Sequence, residues 1–117
     1  MNRLSTYLAA GALALLPLAA AAQSAPVPGD PNKGAQKVAM CQGCHGILGW
    51  RTAFPEVYRV PKLSGQNPQY IVAALKAYKS GERGHPTMKA IAASLSEQDM
   101  ANIAAYYAMT PVTTAAK

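Results

Sequence analysis

Carboxylates are scarce in this chain: of 117 residues only 5 are aspartate or glutamate, against 11 lysines and arginines. The five are spread from Asp30 to Asp99, so no carboxylate pair stands ready for acid–base work. Ser64, Ser94 and Ser96 fall at loops or helix boundaries, and no nucleophile–base arrangement is visible around them. Cysteine is scarcer still, with Cys41 and Cys44 alone, which excludes a multi-disulfide scaffold. A bridge between those two would close too small a loop to stabilise much. A structural zinc site wants about four Cys or His ligands. Beyond Cys41, Cys44 and His45 only His85 remains, so such a site would have to use every cysteine and histidine in the chain, with two of its ligands adjacent in sequence. The longest apolar run, Leu8 to Ala22, has 15 residues, below the roughly 20 that span a bilayer. No alternating strand pattern and no internal repeat appear. The basic excess contains no basic run with interleaved aromatics, which argues against nucleic acid as a partner.

What is present is concentrated in Cys41-Gln42-Gly43-Cys44-His45, the attachment signature of c-type haem. On one turn of helix the two sulfurs reach the two vinyl groups of a single haem, forming thioethers, while His45 lies beneath the ring and offers a nitrogen to the iron. Disulfide exchange also uses Cys-x-x-Cys, but it wants a strand–helix–strand context, and the flanks here are Ala-rich and helical. The N-terminus fits attachment outside the cytoplasm. Arg3, the apolar run and the small residues Ala20-Ala21-Ala22 read as a secretory signal peptide over residues 1–22. An uncleaved anchor is the alternative. Cleavage leaves 95 residues with 10 basic and 5 acidic side chains, a net charge of +5. That is one small domain, expected to be soluble and periplasmic, whose interior would be formed largely by a porphyrin. Its organisation reads as a linker over 23–29, a haem domain over 30–110 and a tail over 111–117.

The periodicity predicts an all-α fold of three main helices and loops around one haem. Asp30-Pro31 starts the first helix, which delivers Cys41. Asn67-Pro68 starts the second, with an apolar stripe of Tyr70, Ile71, Ala74, Leu75 and Tyr78 ending at Ser80-Gly81. Ser96-Glu97-Gln98-Asp99 is an Asp-containing capping box opening the last, which ends before Pro111. A second axial ligand must come from five methionines or His85. Met1 is in the signal, Met40 is on the wrong side of Cys41, and Met100 and Met109 on the last helix read as core filler. Met88 sits in the Gly84-His85-Pro86-Thr87-Met88 loop, where irregular backbone can aim a side chain at iron. His85 is the alternative ligand, or else an exposed loop histidine.

Taken in order, Gly34, the Cys-x-x-Cys-His motif, Pro61-Lys62-Leu63-Ser64-Gly65-Gln66, Met88 and Ile103-Ala104-Ala105-Tyr106 resemble the class I cytochromes c. The resemblance covers nearly all of the chain after the signal, and is nearest to the short bacterial forms. It implies that Gly34 lets the first and last helices cross against Tyr106, that the Pro61 carbonyl orients the His45 imidazole, and that Leu63 packs on the haem. Val38 departs from the pattern, standing where many members carry an aromatic. The segment Ile47 to Val60 has no assignment, although Trp50, Tyr58 and Arg59 are candidates for propionate contacts. The function implied is one-electron transfer by a haem with His45 and Met88 as iron ligands, without enzymatic activity. The alternatives are a haem subunit of a larger dehydrogenase and a peroxidase-like enzyme with an open sixth position. Lys37, Lys62, Lys76, Lys79 and Lys89 are expected to form a basic docking face for acidic redox partners.

Overall fold

Proline is the first residue of three of the five helices seen in the computed structural model, which describes residues 25–53 and 57–111. The helices are α1 (Pro31–Lys37), α2 (Ala39–His45), α3 (Pro68–Ser80), α4 (Pro86–Ala93) and α5 (Glu97–Met109). The signal peptide, Phe54 and residues 112–117 of the tail lie outside the described residues. Each start has a local cause. The Asp30 carboxylate accepts from the backbone N–H groups of Asn32 and Lys33, and Pro31 loses nothing at a position whose N–H has no helical partner. Asn67 does the same for α3 by accepting from the Tyr70 N–H, and Gly81 ends that helix in the left-handed region at φ 90°. At α5 the capping box closes in both directions between Ser96 and Asp99.

Two helices more than the sequence predicts are present among the described residues. The expected first helix divides at Val38, whose carbonyl accepts from the N–H groups of both Cys41 and Gln42, each at 2.9 Å. This tight shared turn separates α1 from the segment carrying the cysteines. The region read as a loop around Met88 is instead the start of α4, with His85 as its N-cap and Pro86 as its first residue. Histidine is not a preferred capping residue, so the start signal is weak in the sequence.

α1 and α3 both pack on α5, and α4 packs on α3. A Cβ on Gly34 would run into the Asn102 carbonyl and come within 2.8 Å of the Tyr106 Cβ, so the α1–α5 crossing is close enough to require glycine. Asn102, buried at the same crossing, accepts through its side-chain oxygen from the Asp30 N–H at 2.8 Å and from Gln98 at 3.0 Å. Val38, Ile71, Leu75, Ala92, Leu95, Met100, Ile103, Ala104 and Tyr107 form the core. Val38 is 2% exposed within this core. No strand forms among the described residues, only an isolated antiparallel bridge between Arg51 and Arg59. That bridge joins the two described arms of the unassigned segment. Its two arms meet through hydrogen bonds from the Val60 N–H to the Trp50 carbonyl and from the Thr52 N–H to the Tyr58 carbonyl.

Candidate haem crevice

Because Cys41, Cys44 and His45 occupy the last turn and a half of α2, one short helix carries all three to a single cavity. Both thiols are free and half-buried. Burial pushes the Cys41 thiol above its ordinary value, the opposite of what a disulfide-exchange cysteine needs. The His45 Nδ1 lies 2.7 Å from the Pro61 carbonyl oxygen. A carbonyl can only accept, so Nδ1–H is the donor, and in the neutral imidazole this tautomer puts the free lone pair on Nε2, where a metal can take it. The loop that supplies Pro61 is itself tied to the last helix by the Gly65 N–H donating to the Tyr107 carbonyl at 2.8 Å. The Gln42 amide donates to the Tyr106 hydroxyl at 3.0 Å, fixing α2 to the same helix.

The cavity is about 440 Å³, within the range of cofactor pockets. α3 and α4 contribute Tyr78, Met88 and Ile91, and the bridged arms contribute Thr52, Tyr58 and Arg59. Arg83 and His85 complete the lining between α3 and α4. A lining that is mostly apolar, bears two thiols and one oriented imidazole, and adds Met88 and two arginines suits a haem. Its vinyls, iron and propionates each find a matching group there. The Tyr107 hydroxyl, deep in the core, has no hydrogen-bond partner, and burial together with nearby Cys41 and Tyr106 raises its phenol well above the ordinary value.

Several residues stand elsewhere than the sequence suggests. His85 is half-buried rather than an exposed loop residue. Its Nδ1 accepts from the Met88 N–H, and its ring meets that of Tyr58 edge-on at 5.5 Å. Met100 is core, but Met109, the last residue of α5, is 72% exposed and is not part of the core. Met40, set aside for its position next to Cys41, lines the cavity mouth while 54% exposed. Leu63 packs against the core cluster rather than lining the cavity, and Trp50 is not part of the lining either. Arg83, Tyr78 and Ile91 as crevice residues escape the sequence reading. The only available signal was their spacing from Met88, which has meaning once α4 is known.

Residues 32–109 match the model of the cytochrome c family. The chain belongs to that family. It is similar to cytochrome c-554(548) of Halomonas halodenitrificans, 39% identical over 82 residues that cover 68% of this chain and 94% of that protein. It is also 38% identical over 91 residues to cytochrome c4 of Thiocapsa roseopersicina, covering 77% of this chain and 45% of the relative. The crystal structure of reduced recombinant cytochrome c4 from Pseudomonas stutzeri superposes with a TM-score of 0.57 at 34% identity, over 71% of this chain and 46% of that one. The chain thus spans less than half the length of these cytochromes c4. The all-α fold is that of a class I cytochrome c, and the protein is a haem c electron carrier rather than an enzyme. Its work requires redox partners, and no described helix is long and apolar enough to cross a membrane.

Proposed function

We propose that the chain is a periplasmic one-electron carrier with a single haem, joined to Cys41 and Cys44 and ligated by His45 and Met88. The observation that carries this reading is that Met88 lines the same cavity as Cys41, Cys44 and His45 although it comes from a separate helix. Haem iron supplies the one-electron redox change. The protein holds the ring in an apolar crevice, and a thioether ligand favours reduced iron and so raises the potential. The Pro61 carbonyl, by accepting the Nδ1 proton, keeps His45 in one orientation and makes Nε2 a stronger donor. Arg59 and Arg83 line the cavity and are the cations that would receive the propionates. Arg51 stands directly opposite Arg59 across the bridge. Like charges so placed repel, and a dianionic ligand relieves the repulsion. One Cys-x-x-Cys-His in the sequence supports one haem per chain, and the signal-like residues 1–22 support export.

The test is spectroscopic. The oxidised protein should be low-spin with the weak red sulfur-to-iron band, and the reduced protein should not bind carbon monoxide. Met88→Ala should remove the band, lower the reduction potential and admit carbon monoxide. Survival of the band in that variant would refute Met88 as ligand. Ready carbon monoxide binding by the wild type would point to an enzyme with an open sixth position.

A further inference from the structure

The histidine ahead of α4 combines three features that the electron-carrier reading leaves unused. His85 is the N-cap of α4, extended at φ −161° and ψ 108°. Its side-chain nitrogen, rather than a carboxylate or hydroxyl, accepts the N–H of the third helical residue, Met88, at 3.4 Å. Its ring lies in the wall of the crevice and meets the Tyr58 ring edge-on, at 63° between planes. A capping side chain satisfies an N–H in the first turn of its own helix. Here the capped N–H belongs to the residue whose side chain faces the cavity, and the cap is braced by the arm carrying Tyr58.

We infer that His85 is a positioning residue for Met88: by capping that N–H it fixes the first turn of α4 and thereby keeps the methionine sulfur on the iron. The inference rests on Met88 being the ligand. The first turn of a helix is its most easily frayed part, because its N–H groups have no helical acceptors. Pro86 removes one of those donors, and the Thr87 N–H gains no acceptor from the cap. The backbone of Met88 is therefore the point at which the turn is pinned. When the cap is lost the turn opens more often, and each opening carries the sulfur away. A neutral imidazole that accepts the Met88 N–H through Nδ1 carries its own proton on Nε2, which leaves neither nitrogen a lone pair for iron, so the geometry assigns the histidine to support rather than ligation.

The experiment measures how fast imidazole replaces the methionine in oxidised, haem-loaded protein, because displacement must wait for the sulfur to leave. In His85→Ala the rate should rise about fivefold, the ratio that corresponds to loss of a cap of typical strength. In His85→Asn, where a good capping side chain replaces the ring, it should return to within about twofold of wild type. Ser96→Ala removes the cap of α5, which lies outside the crevice. It should lower overall stability by a similar amount without changing the imidazole rate. An unchanged rate in His85→Ala overturns the inference. So does an Asn variant as fast as the Ala variant, which would mean that the ring rather than the cap matters. Equal acceleration by Ser96→Ala would reduce the effect to global stability. A failure of the ligand reading itself shows separately, as a wild-type protein lacking the sulfur-to-iron band; His85 then has no ligand to hold and the inference falls with that reading.

Discussion

The two thioethers on α5 have opposite fates, and burial decides which. Met100 is 1% exposed and sits among Val38, Ile71 and Leu75 in the cluster joining three helices, whereas Met109 is 72% exposed at the helix end. Removing a buried side chain loses its transfer energy and leaves a cavity, so Met100→Ala should destabilise the haem-loaded protein by roughly 2–5 kcal/mol. Met109→Ala should change stability by about 0.5 kcal/mol or less. Denaturant titrations of the two variants check both values, and the sulfur-to-iron band should persist in each. At this scale the sequence was most legible where chemistry demands adjacent residues. Cys41, Cys44 and His45 are named by their spacing alone. It was least legible where a role depends on a distant neighbour: Asn102 reads as an ordinary helix residue, yet it is the buried acceptor for the Asp30 N–H, 72 residues away in sequence, as well as for the nearby Gln98 amide.

Among the elements, the α1–α5 crossing depends on backbone proximity. In Gly34→Ala the new Cβ meets a main-chain carbonyl that cannot rotate away, so the helices must separate along their whole contact. A loss of about 3 kcal/mol is expected, at the upper end for overpacking, and thermal unfolding of the haem-loaded variant measures it. The start of α5 adds a pH dependence. Hydrogen bonds from the Ser96 hydroxyl and backbone N–H, with Lys37 at 3.1 Å, hold the Asp99 carboxyl below its ordinary value. A carboxyl depressed in the folded state stabilises it at pH values above the unfolded value, and that contribution is lost as pH falls through the folded value. The melting temperature should therefore begin to fall below about pH 4. In Asp99→Asn it should be lower at neutral pH and less sensitive to acid. A variant with the wild-type acid profile would show that other groups control it. Helices with strong caps were legible: α3 and α5 begin and end where Asn67, Gly81 and Ser96 predict. α4 was not, because its cap is a histidine and Gly84 and Pro86 read as loop residues. Nor was the break at Val38, which arises from a backbone turn without a glycine or proline to mark it.

At the scale of the whole molecule, three of the five lysines expected at the docking face, Lys37, Lys76 and Lys79, are engaged by groups of the protein itself. Glu97 and Asp99, in the first turn of α5, occupy two of them: Lys37 pairs with Asp99 at 3.1 Å and Lys76 with Glu97 at 2.9 Å. Lys79 donates to the Leu95 carbonyl and holds the end of α4. The crevice instead carries Arg59 and Arg83 in its lining, with Arg51 bridged to Arg59 at the rim. Exposed Met40 and Tyr58 stand at the same opening. This side therefore presents arginines around apolar side chains, whereas Lys37 and Lys76 are each paired with a carboxylate. Attraction between these arginines and an acidic redox partner is screened over roughly 8 Å at physiological ionic strength, and removing it slows encounter rather than the electron step. Electron transfer to an acidic redox protein should therefore slow as salt rises. Arg51→Glu should lower the low-salt rate about tenfold, the modest end of electrostatic steering. Lys76→Glu changes charge by the same amount at a residue outside the crevice lining and should alter the rate by less than about twofold. Stopped-flow rates at two ionic strengths separate the cases: if both variants slow the reaction equally, net charge governs encounter and the arginine edge has no special place, and if neither does, the partner docks through the apolar side chains alone.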